Sequence, residues 1–265
     1  MELRIGNLDI KYNGKKLIGP LNCSFADQRL NLVVGPSGCG KSTFMKTIAG
    51  FHKEFTGALT LDNEYYDPRG IVAFAFQNPE SLFFNSTVFD EIAYALTIRN
   101  LAKEKIKNMT EHWMEKWGLK PEKYSNRYPF NLSGGEKRRV ALAATTIFNP
   151  KIILLDEPLA GLDYRGQTEL ASIITNLSKN AIVVVVTHEP ELLMNENSSI
   201  FHMHEDGSQQ ITTDEFLRLS LSNEDYYPLP NWYKDEILPF INCDYELPMI
   251  NAIDVFDFLE QVRNA

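Results

Sequence analysis

The sequence predicts an α/β fold organised around a sheet covered on both faces. Three observations predict it. Short, wholly apolar runs at Leu32-Val33-Val34, Ile152 to Leu155 and Ala181 to Val186 read as strands with no solvent face. Segments of helical period alternate with these runs. The first run also leads through Gly35-Pro36-Ser37-Gly38-Cys39-Gly40-Lys41-Ser42 into a helix from Thr43 to Ala49, the strand–glycine loop–helix order of a phosphate cradle.

The elements follow in order. Residues 2 to 34 alternate short apolar runs with turns. Tyr12-Asn13-Gly14-Lys15 predicts a tight hairpin, because Asn-Gly suits a two-residue reversal. A second turn is expected at Asp62-Asn63, and together these predict a small N-terminal antiparallel sheet. Ile71 to Phe76 reads as a strand. A helical subdomain follows. Val88, Ile92, Ala95 and Leu96 keep a helical period, as do Ile106, Met109, Trp113 and Trp117, and the aromatics at that spacing are core or subunit-contact residues. A third helix begins at Ser133 with Val140, Ala143, Ala144 and Ile147 on one face. A further helix spans about Gln167 to Asn176. Beyond Thr187 the pattern weakens: Ile200 to His204 reads as an edge strand and Thr213 to Leu219 as a short helix. Pro228 and Pro230 mark a linker, so we divide the chain into a domain over 1–218 and a short C-terminal helical extension over 219–265.

Composition bounds the function. A chain of 265 residues with 44% hydrophobic residues can bury a substantial core. The run Ala181 to Val186 is far too short to span a bilayer, which takes roughly 20 apolar residues. Met1-Glu2-Leu3-Arg4 opens no secretory segment. Cys23, Cys39 and Cys243 are too scattered for a disulfide framework or a metal site, so a cytosolic setting is expected. The net charge is −9, and the segment from Leu219 to Ala265 carries much of it, which argues against a nucleic-acid partner. That acidic tail also reads simply as a solvated face.

Chemistry can be placed on this frame. Glycines let the 35–40 loop curl with its N–H groups inward, and the helix start adds unpaired N–H groups. Lys41 can reach the terminal phosphates of a nucleotide and Ser42 can hold Mg²⁺. The strand at 152–155 delivers Asp156 and Glu157 at its C-terminal end. Asp156 would support Mg²⁺; Glu157 would position a water and take its proton. Ser133 can cap the third helix while Gly134 and Gly135 expose its first amides to an anion, with Glu136 completing the segment. A second phosphate cradle in one chain suggests two chains closing on nucleotide between them. Cys39, inside the loop, is either a small side chain tolerated there or a thiol whose modification would block nucleotide.

These residues resemble those of the nucleotide-binding subunits of ABC transporters, over residues 1 to about 218. Gly35, Pro36, Ser37, Gly38, Cys39, Gly40, Lys41 and Ser42, followed by Thr43, match the Walker A loop, and Asp156-Glu157 the Walker B end. Leu132-Ser133-Gly134-Gly135-Glu136 matches the family signature, Gln77 the Q-loop, Ala160-Gly161-Leu162-Asp163 the D-loop, His188 the switch histidine, and Tyr12 the aromatic set against adenine. The resemblance implies a P-loop NTPase core of the ABC ATPase type. A narrower resemblance, to the ATPases of energy-coupling-factor (ECF) and cobalt-type importers, rests on Phe76-Gln77-Asn78-Pro79-Glu80, on Thr87 to Ala93, on Asp156 to Asp163 and on the tail from near Pro228.

That family implies a Mg²⁺-dependent ATPase bound to the cytoplasmic face of the cell membrane. Two ATPase subunits, alike or merely related, would pair head to tail. A transmembrane coupling subunit, and in the ECF case a membrane substrate-binding subunit, would complete the importer of a vitamin or metal ion. Gln77 would sense Mg²⁺ and the attacking water, His188 would sit by the terminal phosphate or Glu157, and Asp163 would link the two sites. Plainer readings stand beside these: Gln77 as a polar strand end, Tyr12 packed on the N-terminal sheet, Asp163 capping a turn, His188 as a structural residue. The functional alternatives are a soluble ABC ATPase in assembly or repair, and a regulatory module that closes on ATP with little turnover.

Overall fold

The structure, a computed structural model, describes residues 1–99, 101–190, 192–195, 197–204, 207–213, 215–216 and 219. The expected C-terminal extension and Cys243 lie outside the described residues, Leu219 aside, and the helix expected over Thr213 to Leu219 lies partly outside them.

Two sheets share a core. The first is antiparallel, in the order β2 (Lys15–Ala26), β1 (Glu2–Tyr12), β4 (Phe55–Leu61), β5 (Glu64–Tyr65). The hairpin predicted at Tyr12 to Lys15 is present, and the turn predicted at Asp62-Asn63 also closes a hairpin. Tyr12 pairs with Lys15 across Asn13 and Gly14, whose φ angles are 51° and 75°. Leu61 pairs with Glu64 across Asp62 and Asn63, at 51° and 67°. Two successive left-handed residues give the turn a twist that matches the strands, and Asn, Asp and Gly tolerate it best.

The second sheet has the order β10 (Gln209–Thr212), β9 (Ser199–His202), β3 (Leu30–Val34), β8 (Ile182–Val186), β7 (Ile152–Asp156), β6 (Val72–Ala75). It is parallel except for β10, which pairs antiparallel to β9. Every residue of β3, β7 and β8 is buried. Their alternate side chains serve two cores. Val33, Ile152, Leu154, Val184 and Val186 face the small sheet and α1 (Lys41–Ile48), where Phe25, Phe44 and Phe201 pack together. Leu32, Val34, Ile153, Leu155, Val183 and Val185 face the other core, with α2 (Val88–Thr97), α3 (Lys103–Lys116), α4 (Pro121–Tyr124), α5 (Gly134–Thr146) and α6 (Tyr164–Leu177). A strand period of two thus becomes a three-layer arrangement.

One expectation fails. The strand read at Ile200 to His204 is β9, and it is internal: β3 lies on one side and β10 on the other. The edge strand is β10, a segment of which only Ile211 is buried. Its place is set by Gln210, whose amide exchanges hydrogen bonds with the backbone of Ser24 on β2. The aromatic helix reads correctly: Trp113 and Trp117 are core residues, and Trp113 Nε1 donates to Thr146 Oγ1 at 3.2 Å, tying α3 to α5.

Candidate functional site

The loop between β3 and α1 is shaped by three left-handed glycines, Gly35, Gly38 and Gly40, at φ 147°, 85° and 97°. At Gly35 a Cβ would lie 2.1 Å from the backbone oxygen of Met203, at the end of β9, so no side chain fits there. At Gly40 a Cβ would meet Ile18 Cδ1 at 2.0 Å, which brings the small sheet against the loop. Gly40 is also the N-cap of α1 and supplies no side-chain cap. The first-turn amides of Lys41, Ser42 and Thr43 are therefore left open, with the positive end of the helix dipole behind them. Lys41 is buried, and its ammonium donates to the carbonyls of Gly35 and Pro36 at 2.7 and 2.9 Å. Among the described residues no carboxylate pairs with it. A buried cation held only by carbonyls, beside uncapped amides, is a place for an anion.

Pro36, Ser37 and Gly38 are exposed at the rim, whereas Cys39 is buried beneath it. Tyr12 closes β1 at the hairpin and is 64% exposed, so its ring is a surface feature and not part of the sheet core.

β7 and β8 end beside this loop. Asp156, the last residue of β7, is buried. Glu157 follows in a left-handed conformation at φ 50°, held by its N–H donating to Val186 O at 2.9 Å. That turn points its carboxyl inward. The side chain is 15% exposed, and Oε1 is buried without a hydrogen-bond partner. The His188 N–H donates to Oε2 at 3.4 Å, and His188 Nε2 lies 3.6 Å from Oε1. Burial, and then the neighbouring Asp156 charge, push the Glu157 carboxyl up to about 7 against the His188 N–H and Lys41. Burial and then the Lys41 charge push the His188 imidazole below its ordinary value, which favours the neutral ring. The site therefore holds a carboxyl poised near neutrality with an unspent oxygen, next to a neutral imidazole and a fixed ammonium. Among the described residues no cluster of three His, Cys, Asp or Glu is placed to hold a metal ion. Ser42 and Asp156 can offer a hard cation only part of its oxygens, a donor set that fits Mg²⁺ shared with phosphate.

The remaining candidates sit on other elements. Gln77 follows β6 and is exposed; its carbonyl accepts from Arg138 Nη1 at 2.6 Å. Asp163 is the N-cap of α6, with Oδ1 accepting from Gly166 N at 2.8 Å. Ser133 caps α5 in a reciprocal box: its hydroxyl accepts from Glu136 N at 3.3 Å, and Glu136 Oε2 accepts from Ser133 N at 2.9 Å. Glu136 Oε1 takes a further bond from the Tyr124 hydroxyl at 2.7 Å. The Glu136 carboxylate thus closes the helix end, and the groups left for an anion are the amides of Gly134 and Gly135 and the Ser133 hydroxyl proton. Two partners escaped the sequence reading. Tyr124 sits on a four-residue helix with no period to find. Arg138 lies buried in α5 where charged residues are expected to face water.

Residues 18–160 match the ABC transporter family model. A putative ABC transporter ATP-binding protein of Pyrococcus horikoshii is 35% identical over 217 residues, covering 78% of this chain and 82% of that protein. The energy-coupling factor transporter ATP-binding protein EcfA2 of Clostridium tetani is 33% identical over 219 residues, 77% of this chain and 76% of that protein. The solved structure of cbiO1 from Clostridium perfringens, described as part of the ABC transporter complex cbiONQ, superposes with a TM-score of 0.73 over 83% of this chain and 94% of that one, at 24% identity, which speaks to the fold. The family match and these relatives show that the chain belongs to the ABC transporter family, as an ATP-binding and ATP-hydrolysing subunit.

Proposed function

We propose that this subunit energises an importer of the energy-coupling-factor type, carrying a vitamin or a metal ion, by closing on ATP against a second ATPase subunit. The observation that carries the catalytic half of this reading is Glu157, a half-buried carboxyl with one unpartnered oxygen at the mouth of the cradle. The Gly35–Thr43 loop holds the phosphates of ATP, and Tyr12 offers a face for the base. Ser42, Asp156 and Gln77 would hold Mg²⁺, which when bound would neutralise phosphate charge. Glu157 accepts a proton as water attacks the terminal phosphorus; the new O–P bond forms while the bond to the ADP oxygen breaks. Neutral His188 holds Glu157 or the terminal phosphate in place. Ser133, Gly134 and Gly135 of one subunit meet the nucleotide of the other, with Asp163 at the seam. Residues 1–218 form the ATPase domain, and 219–265 an extension for dimerisation or regulation.

Beside Gln77 lies a groove of about 220 Å³, flanked by the exposed side chains of Phe76, Leu82, Phe84 and Tyr94. An apolar cleft at this place supports docking of a transmembrane coupling subunit. No helix among the described residues is long and apolar enough to cross a membrane. The relatives described as energy-coupling factor ATP-binding proteins support the importer class.

Two experiments test the reading. Glu157→Gln with Mg-ATP should abolish turnover yet accumulate a dimer, read by size-exclusion chromatography with light scattering; turnover at the unmodified rate would overturn the assignment. Purification in mild detergent should recover membrane subunits. A stable complex with soluble assembly proteins only would replace the importer with the assembly ATPase.

A further inference from the structure

Arg138 lies in the second turn of α5, the helix that opens with Ser133-Gly134-Gly135, and its side chain is 4% exposed. A buried guanidinium is costly unless its fork is filled. Here three separate segments meet its two terminal nitrogens. Nη1 donates to Gln77 O at 2.6 Å, and Nη2 to Ala160 O at 3.3 Å. Glu80 pairs with the guanidinium from the side: its Oε1 accepts from Nη2 at 3.2 Å, and Oε2 lies 3.2 Å from Nε as an ion-pair contact without hydrogen-bond geometry. Ala160 N in turn donates to Glu157 O at 3.3 Å. A run of three hydrogen bonds therefore joins the backbone of Glu157, through Ala160 and Arg138, to the backbone of Gln77. The Gln77 amide itself makes no hydrogen bond among the described residues, so its loop is located through its carbonyl.

We propose that Arg138 is a positioning residue, one that sets the loop of Gln77 and the loop from Glu157 to Asp163 in a single register with the helix that begins at Ser133. The proposal rests on the functional reading of Gln77 and Glu157 given above. Lysine cannot replace it, because one ammonium lacks the planar fork that reaches two carbonyls and a carboxylate together. Methionine fills the same space without charge but removes only one partner, leaving the Glu80 carboxylate and two carbonyls unpaired, so R138M is expected to cost stability as well.

The test is steady-state ATP hydrolysis by the full chain, with binding of a fluorescent ATP analogue and thermal melting measured alongside. R138M and R138K should lower kcat by about tenfold to a hundredfold, the scale of a mispositioned catalytic loop. Analogue affinity should stay within about twofold, because the Gly35–Thr43 loop is untouched. In a Q77A background the R138M loss should shrink, since both changes disable one unit. Q77A and E157Q serve as references. If they lower turnover while R138M and R138K do not, Arg138 is structural only and the proposal is overturned. The same holds if kcat falls only in step with melting temperature, or if R138M and Q77A act independently. If Q77A and E157Q leave turnover intact, the site itself is misassigned and the proposal falls with it. Should R138M melt early, E80Q, which keeps both carbonyl bonds and weakens the carboxylate side, should still lower kcat several-fold when measured well below its melting temperature; unchanged kcat there also overturns the proposal.

Discussion

Glu157→Gln should stabilise the nucleotide-free protein, and more so in alkaline than in acidic solution. Burial first, and the Asp156 charge after it, raise the carboxyl from 4.5 to about 7. The folded chain thus holds this proton more tightly than the unfolded one. Stability is lost as pH climbs from the unfolded value to the folded one, and the loss is complete above about pH 7. At 1.36 kcal/mol per unit the ceiling is about 3 kcal/mol. Water still reaches the group, since the side chain is 15% exposed, so we take half, about 1–2 kcal/mol. Glutamine keeps the shape without the charge. Urea denaturation in EDTA, without nucleotide, at pH 5.5 and pH 8 reads the effect, and both values lie above the isoelectric point near 5.1. The gain should be about 1 kcal/mol larger at pH 8. A gain independent of pH, or a loss at pH 8, would refute the claim that the carboxyl is strained by ionisation.

Three other outcomes follow from the geometry. The kcat/KM of ATP hydrolysis, which reports the free enzyme, should fall about tenfold per unit below pH ~7 as Glu157 becomes protonated, and a profile flat to pH 5.5 would remove it as the base. Gly35→Ala should melt far earlier than Gly38→Ala: a Cβ at 35 lies 2.1 Å from a backbone oxygen while one at 38 meets nothing within 4 Å, leaving only about 1–2 kcal/mol of left-handed strain at 38; equal melting temperatures would contradict the packing. Ser133→Ala should cost about 1 kcal/mol of stability through the lost cap, measured by urea denaturation, with ATP-analogue binding to the isolated subunit unchanged; weaker binding there would mean that Ser133 serves the nucleotide of its own chain.

The sequence makes the central sheet legible because β3, β7 and β8 are buried on both faces, so their apolar runs have no other explanation. The hairpins are legible because Asn13-Gly14 and Asp62-Asn63 name their own backbone conformation. β10 is not legible. Its Gln209-Gln210-Ile211-Thr212 buries a single side chain, and its position depends on Gln210 reaching a strand 186 residues away. The site divides in the same way. Gly35 to Ser42 and Asp156-Glu157 are local, fixed by one loop and one strand end. What the sequence leaves hidden is the left-handed turn of Glu157, which decides where its carboxyl points. Hidden too is the buried fork of Arg138, whose partners come from three segments far apart in the chain.

The helix ends divide the anion-binding work unequally. α2, α5 and α6 are each closed by a side chain, from Thr87, Ser133 and Asp163. α1 alone of these longer helices that face the chemistry starts on a bare left-handed glycine. Its cradle keeps open amides and a buried ammonium. At α5 the balance is different. Burial raises the Glu136 carboxyl, but hydrogen bonds from Ser133 and Tyr124 outweigh it and hold the group below its ordinary value, hence ionised. That anion, folded back over the helix start, opposes a phosphate arriving alone. On the pairing proposed above, the Gly134 and Gly135 amides would suffice only for a phosphate already neutralised in part by another cradle, its lysine and its metal. On the proposed pairing this asymmetry sets the order of events. Nucleotide binds first at the Lys41 loop of each chain, and the partner's α5 closes on it second, so closure reports that the first site is filled.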